Sequence, residues 1–341
     1  MASSVQSRLR VTRRQILAFR RRVGALDERM PMGSKSLRQA AWAGLQDSMP
    51  RAALLSLNAR IEGVRPSTWD HPSLVQLWGP RYNTYVVAKH DFALFSLGRH
   101  PENAKSRLRA ERIAQQLHAH LDGKRMTDRE VAGALGIGNA IRYAATTGTV
   151  AVRWEGARAP MVWTVAAPKI GPADARRELA RRYLHVFGPA AADGFARWAG
   201  ISRPSATDAF ASLEGSLLPV RSPLGDEWLL AEDEPAIRAA ETAAAPARLL
   251  PSGDAYFLLD GAERELLLPR KDQREQLWTS RVWPGALLVE GEVRGTWRRA
   301  QHVVRVDAWS RLSRGARDAV EAEAGTLPLP GLDRPIEVAW S

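Results

Sequence analysis

The sequence predicts an α+β fold in which one supersecondary unit, helix–turn–helix followed by a β-hairpin, occurs at least twice ahead of a small β-rich domain. Two stretches and one change of period carry that prediction. The first stretch is "MTDREVAGALGIGNAIRYAATTGTVAVRWEGARAPMVWTV", residues 126–165; the second is "DGFARWAGISRPSATDAFASLEGSLLPVRSPLGDEWLL", residues 193–230. Beyond residue 248 the apolar period changes from that of a helix to two.

The chain opens with a helix expected in "TRRQILAFRRRVGALDERM". Thr12 followed by Gln15 is a capping-box pattern. Ile16, Phe19, Val23 and Leu26 recur at helical spacing and are expected in the core. Arg13, Arg14, Arg20, Arg21 and Arg22 crowd the remaining faces. A solvated basic face is the commoner fate of such a run, and phosphate contact is the functional one. A helix at "SKSLRQAAWAGL" leads into "GLQDSMPRA", residues 44–52, and another follows Pro50 in "RAALLSLNARIEG". "LVQLWGPRYNTYVVAKHDFALFSLGR" supplies a turn, the strand "TYVVA" and a short helix.

In the first repeat Thr127 and Glu130 form a second capping box, and Val131 and Leu135 give the buried stripe of a short helix. "GIG" makes a sharp turn, "NAIRYAATTG" a second helix ending at Gly148, and "TVAVRW" and "MVWTV" a hairpin around "EGARAP". That order is the winged helix–turn–helix, whose second helix enters the major groove while the hairpin flanks it. The second repeat has a helix, the turn "AGIS", a helix from about Pro204, and strands "LLPV" and "EWLL" around "RSPLGD". Trp163 and Trp228 fall at matching places in the two hairpins. Repetition in a basic chain favours DNA binding, although winged helices also serve as protein-interaction modules. Residues 232–247 are polar and Ala-rich, a short helix or linker. After them "AYFLLD", "RELLLP", "GALLVEGEVRGTWRR" and "HVVRVDAW" read as strands. Glu290-Gly291 is a hairpin turn, and a helix at "SRGARDAVEAEAG" closes the domain.

A length of 341 residues allows two to four units. The chain has no Cys, which excludes disulfides, thiolate metal sites and a Cys nucleophile. The N-terminus has no secretory apolar core and no run reaches membrane length, so a cytoplasmic, nucleoid-associated protein is expected. The formal net charge is +12, and six of the 49 basic residues are Lys, leaving 43 Arg. Codon bias explains the preference for Arg over Lys better than it explains the net charge. A nucleic-acid partner is therefore the leading class. No P-loop, dinucleotide fingerprint, zinc-protease helix or serine elbow is present. The seven His are scattered, and His118 and His120 in "HAH" do not share a helix face. No Lys stands in a Schiff-base setting. Neither metal nor cofactor is expected, and an enzyme here would use water.

In these stretches the chain resembles the AlkZ/YcaQ type of winged-helix DNA glycosylase. The resemblance spans nearly the full length. It rests on "GLQDSMPRAALLSLNARI", "RRYLHVFGPAAADGFARWAGIS", "RLLPSGDAY" and "LLVEGEVRGTWRR". It implies three tandem winged helices and a C-terminal β-barrel-like domain cupped around double-stranded DNA. The domains are expected at 1–107, 108–170, 171–247 and 248–341, in a monomer that needs no membrane. The family carries a Q-x-Q or Q-x-D motif that holds and polarises the hydrolytic water. Gln46 matches its first position. Ser48 stands at the third, and Asp47 stands where an apolar residue is usual. Gln46, Asp47 and Ser48 are the candidate catalytic residues. If the motif is helical, one residue swings a side chain by about 100°, so Asp47 is either a base aimed inward or, with Ser48, a cap before Pro50. Asn58 and Arg60 are candidate phosphate or lesion contacts facing Gln46, or else a surface polar pair. Arg81 and Tyr82 lie at a turn where the family has polar residues in its cleft. Arg142 on the expected recognition helix, Arg158 on its wing, and Arg298 and Arg299 past the C-terminal hairpin complete the candidate DNA contacts. The activity implied is hydrolysis of the N-glycosidic bond of alkylated purines, including bulky and crosslinked ones. The alternative is a non-catalytic winged-helix DNA-binding protein, a regulator or lesion sensor.

Overall fold

Four sheets organise the computed structural model, which describes residues 8–49, 51–156, 158–240, 245–331 and 334–341. Pro50 and residues 241–244 of the Ala-rich linker lie outside those described. β1 (Leu9–Arg10) and α1 (Arg13–Val23) open the chain, with the capping box between Thr12 and Gln15 formed as expected. Arg14 and Arg22 of α1 are exposed, whereas Arg13, Arg20 and Arg21 depart from both expectations. Arg20 and Arg21 are 4% and 2% exposed. Arg20 donates to the carbonyls of Phe187, Gly188 and Pro189, and Arg21 donates to Asp27 and the carbonyl of Gly291. Arg13 donates to Glu292 and to the carbonyls of Leu266 and Leu267. A guanidinium has five donors and can satisfy several buried carbonyls at once, so α1 acts as a strut between distant segments.

The first unit follows as α2 (Ser34–Ala40), β2 (Leu45–Gln46), α3 (Ala52–Arg60), β3 (Leu74–Trp78), β4 (Thr84–Ala88) and α4 (Phe92–Leu97). Its sheet order is β2-β4-β3. "LVQLW" is therefore a strand and not part of the expected turn.

The second unit runs α5 (Ala104–Leu121), β5 (Met126–Thr127), α6 (Asp128–Ala134), a 3-10 segment over Gly138–Thr147, β6 (Val150–Arg153) and β7 (Met161–Thr164), in sheet order β5-β7-β6. The Thr127–Glu130 capping box is formed. The second helix of the expected pair takes the tighter 3-10 form. Helix α5 buries Ala110, Ile113, Ala114, Leu117 and Leu121 at helical spacing. It packs on the Gly138–Thr147 segment. The expected domain boundary after residue 107 falls inside it.

The third unit comprises α7 (Pro172–Phe187), α8 (Ala192–Ala199), α9 (Arg203–Ala211), β8 (Leu217–Ser222) and β9 (Gly225–Leu230), followed by α10 (Glu234–Arg238). Its third strand comes from the other end of the molecule. β1 runs parallel to β8, with Leu9 opposite Val220, giving the order β1-β8-β9. Residues 9–23 therefore belong in space with this unit and not with the first, because α1 also packs on α7 and α10.

The C-terminal region holds β10 (Arg248–Leu250), α11 (Ala262–Leu267), α12 (Lys271–Leu277), β11 (Gly285–Val289), β12 (Glu292–Ala300), β13 (Val303–Ala308), α13 (Arg314–Gly325) and β14 (Glu337–Trp340). "AYFLLD" and "RELLLP" are not strands. Ala255–Phe257 is a 3-10 turn and "RELLLP" contributes to α11. Their apolar residues are buried on several sides, and a short apolar run carries no usable period. The Glu290-Gly291 turn lies in the left-handed region, at φ 52° and 79°, as a tight hairpin requires. The five strands form an open sheet in the order β10-β11-β12-β13-β14, which corrects the expected barrel. Among the described residues the two edge strands do not pair with each other. α13 packs against both instead, and a covering helix satisfies the edge without closure.

Asp91 ties the first unit to the third. It is fully buried and accepts from Arg38 of α2 and Arg182 of α7, at 2.8–3.1 Å. Burial pushes its carboxyl up, but the hydrogen bonds and charges of Arg182 and Arg38 outweigh burial and hold it below the usual range. Asp91→Ala leaves Arg182, 1% exposed, with Glu178 alone as its carboxylate and strips Arg38 of its partner. The expected loss is about 3–5 kcal/mol in urea unfolding at pH 7. A loss under about 1 kcal/mol would show that the pair does not hold these units together.

Candidate active site

The segment Leu45–Gln46 is a strand and not the end of a helix. Leu45 pairs with Val86 and Gln46 with Tyr85, and the Asp47 N–H donates to the Thr84 carbonyl at 2.7 Å. Alternate residues of an extended chain point to opposite faces. Gln46 and Ser48 therefore share one face and Asp47 takes the other. Gln46 Nε2 donates to Ser48 Oγ at 2.6 Å, and Ser48 is exposed. The Tyr85 hydroxyl lies 3.4 Å from Gln46 Oε1 as a weak donor. Burial pushes the Tyr85 phenol up to about 12, so it stays protonated.

Asp47 points inward, 1% exposed. One oxygen accepts from the Ala53 N–H at 3.0 Å, in the first turn of α3, and the other from Gln76 Nε2 at 2.8 Å. Gln76 Oε1 in turn accepts from the Trp154 N–H at 2.6 Å, just past β6. Asp47 thus serves an orphan N–H of α3 across an intervening loop and joins the motif to the second unit. Burial raises its carboxyl to about 7, against the Ala53 and Gln76 hydrogen bonds and the charges of Arg51 and Arg153. Its place on the inner face removes it as a base acting beside Gln46 and Ser48.

A loop from the C-terminal region covers Gln46. Gly253 sits at φ 76°, and a Cβ there would stand 3.1 Å from Gln46 Nε2. Any L side chain would be strained at that φ and would press on the amide. Asp254 beside it is buried and accepts from Ser56 Oγ and from both terminal nitrogens of Arg60, at 2.7–2.8 Å. Arg60 is therefore the anchor of this loop. The expectation that it meets a phosphate is corrected: it is 3% exposed and fully engaged. Asn58 is also buried. It donates to Thr326 Oγ1 at 3.1 Å, at the end of α13, and its carbonyl accepts from Arg29. Neither residue forms the expected surface pair.

The other candidates spread widely. Arg81 and Tyr82 occupy the β3–β4 turn, both at positive φ. Arg81 lies 3.6 Å from Asp260, and Tyr82 stands edge-on to Tyr143 with centroids 5.1 Å apart. Arg142 is exposed on the Gly138–Thr147 segment and Arg158 is exposed between β6 and β7. Arg298 and Arg299 are exposed on β12, donating to the carbonyls of Val282 and Gln301. Sequence reasoning missed Tyr85, Gln76, Gly253 and Asp254 around the motif. Only the stretch "RLLPSGDAY" pointed toward the last two. Among the described residues no group of three or more His, Cys, Asp or Glu is placed to hold a metal, and no helix is long and apolar enough to cross a membrane.

The family model for AlkZ-like DNA glycosylases matches residues 39–328, which takes in the Gln46 motif, its covering loop and every described strand except β1 and β14. The chain belongs to the AlkZ-like DNA glycosylase family. That membership places it among the glycosylases of DNA repair, with DNA as substrate. Among solved structures it is similar to Streptomyces sahachiroi DNA glycosylase AlkZ, with a TM-score of 0.80 and 18% identity, over 98% of this chain and 100% of that one. The AlkZ-like fold is thus shared over almost the whole length. No curated protein sequence matches the chain.

The raised Asp47 carboxyl has a pH signature. Its folded value, about 7, lies above the reference of 3.8. The stability it contributes is fully present below about pH 4 and is lost as the pH rises through 7. The stability gap between the wild type and Asp47→Asn should therefore narrow between pH 4 and pH 8 in urea unfolding. A gap that stays constant or widens would show that the carboxyl titrates normally.

Proposed function

We propose that this AlkZ-like protein is a monofunctional glycosylase that hydrolyses the N-glycosidic bond of alkylated purines in duplex DNA, including bulky and crosslinked adducts. The observation that carries the proposal is the Gln46–Ser48 pair, two neutral polar side chains joined at 2.6 Å at the end of β2. With Nε2 turned to Ser48, the Gln46 oxygen remains an acceptor, and Ser48 Oγ keeps a second lone pair and its own O–H. Together they can accept from one water and aim its free lone pair at the anomeric carbon.

The chemistry asks for little more. A 7-alkylated purine already carries positive charge. When the C1′–N bond breaks, the bonding pair leaves with the base and neutralises it. Water oxygen bonds to C1′ and its surplus proton passes to solvent. Catalysis then consists of placing water and stabilising an oxocarbenium-like sugar, for which orientation matters more than a strong base. The inward turn of Asp47 accords with this route.

On this reading the three helix-and-hairpin units act as tandem winged helices, with residues 9–23 reassigned to the third. The open C-terminal sheet presents Arg298 and Arg299, and Arg142 and Arg158 meet phosphates. The protein works as a monomer in the cytoplasm, on the nucleoid. A second reading, a non-catalytic lesion binder, draws support from Ser48, whose side chain reaches less far than the Gln or Asp of the family motif.

Base release from a duplex carrying 7-methylguanine tests both. Gln46→Ala should slow release about 10²–10³-fold, the range seen when one oriented polar group is lost from a reacting centre. Ser48→Ala should cost less, and Ser48→Gln should keep or raise the rate. Intact alkylated DNA under saturating wild-type protein, with salt-dependent duplex binding retained, would select the lesion-binder reading.

A further inference from the structure

A cavity that Gln46 does not line lies where the first three units meet. Its volume is about 340 Å³, within the usual ~300–1,000 Å³ of small-ligand sites. The β3–β4 turn, the start of α5, the Gly138–Thr147 segment and the α8–α9 turn line it. Along one wall stands an alternating stack: Arg99 over Tyr82 at 5.1 Å, Tyr82 edge-on to Tyr143 at 5.1 Å, and Arg109 over Tyr143 at 4.5 Å.

Arg99 is the unusual member. It is 3% exposed, yet among the described residues no carboxylate lies within ion-pair distance of it. Nε donates to the Ala199 carbonyl, and Nη1 to those of Trp78 and Phe95. Nη2 has no acceptor among the described residues. A buried cation held only by carbonyl dipoles is costly unless an anion joins it. Burial accordingly lowers Arg99 to about 10. Arg109 is likewise without a carboxylate partner among the described residues and is exposed.

Two helix starts border the same space, α5 at Asn103 and α9 at Ser202, each capped by its own side chain. Helix starts favour anions. The carboxylate on the lining, Glu102, is already matched by Arg176 and accepts from Ser205. His100 lies 3.5 Å from Glu111. The excess charge on the cavity is therefore positive. Tyr82 holds its ring there from a backbone at φ 59°, a left-handed conformation that is strained outside glycine.

We propose that this cavity binds a phosphate group, carried by the DNA backbone or by a free mononucleotide, with Arg99 and Arg109 as its cations and Tyr82 and Tyr143 as its aromatic wall. The site is separate from the Gln46 face, so its test reads binding and not base release. Phosphorus NMR with inorganic phosphate and with dAMP measures free-ligand binding. Fluorescence anisotropy of a duplex over a salt series measures phosphate contacts. Arg109→Gln removes an exposed charge and leaves the buried Arg99 framework intact, and Arg109→Glu reverses that charge.

If a free nucleotide is the source, the wild type binds dAMP, Arg109→Gln weakens it about five- to tenfold, and the duplex salt slope is unchanged. If DNA is the source, the slope falls by about one in Arg109→Gln, whether or not free phosphate binds. Equal binding of both ligands and an equal slope in the wild type and Arg109→Glu would overturn the proposal. So would an absence of ligand binding with an unchanged slope.

Discussion

A single buried carboxylate sets the orientation of the candidate active site. Asp47 receives one donor from the first turn of α3 and one from Gln76, and both lie on the inner side of β2. An extended chain cannot turn one residue inward without turning its neighbours outward. Holding Asp47 in the core thus presents Gln46 and Ser48 together on the other side. The inward position is filled by an acid where an apolar residue would bury without help. The polarity is answered by dedicated donors, as burial demands. Rigidity follows as well, because the same carboxylate is linked through Gln76 to the second unit.

Two tasks fall to arginine in this molecule, one proposed and one observed. The expected task is attraction of phosphates, and exposed residues such as Arg142 and Arg299 are available for it. The other is internal. Arg20, Arg21, Arg60 and Arg182 are buried and join segments far apart in sequence, using carbonyls and carboxylates as acceptors. A lysine could not reproduce these forks, since its ammonium is a point donor. The abundance of arginine therefore reports on how the units are fastened as much as on what they bind.

Local signals in the sequence were dependable where the structure is local. Both capping boxes, the Glu290-Gly291 turn and the hairpins of β6–β7 and β8–β9 follow from residues close together in the chain. Signals failed where a distant partner decides. Leu45–Gln46 is extended only because β4 pairs with it, and the nine residues around it read equally well as a helix end. The two apolar runs before β11 were too short to show a period and fold as helical turns. The identity of Gln46 and Ser48 could be read, whereas their common face could not. That face depends on a strand pairing across nearly forty residues.

The pairing of β1 with β8 has a consequence for the order of assembly. β1 leaves the ribosome well before β8 and β9, the two strands whose sheet it edges. Until they emerge, Leu9, Val11, Ile16 and Phe19 have no partners for their apolar surface. The third unit can complete its core only by capturing a segment that has waited through the synthesis of two others. The segment from Leu9 to Val23 thus works as a clasp, completing the sheet and core of a unit far from it in the sequence.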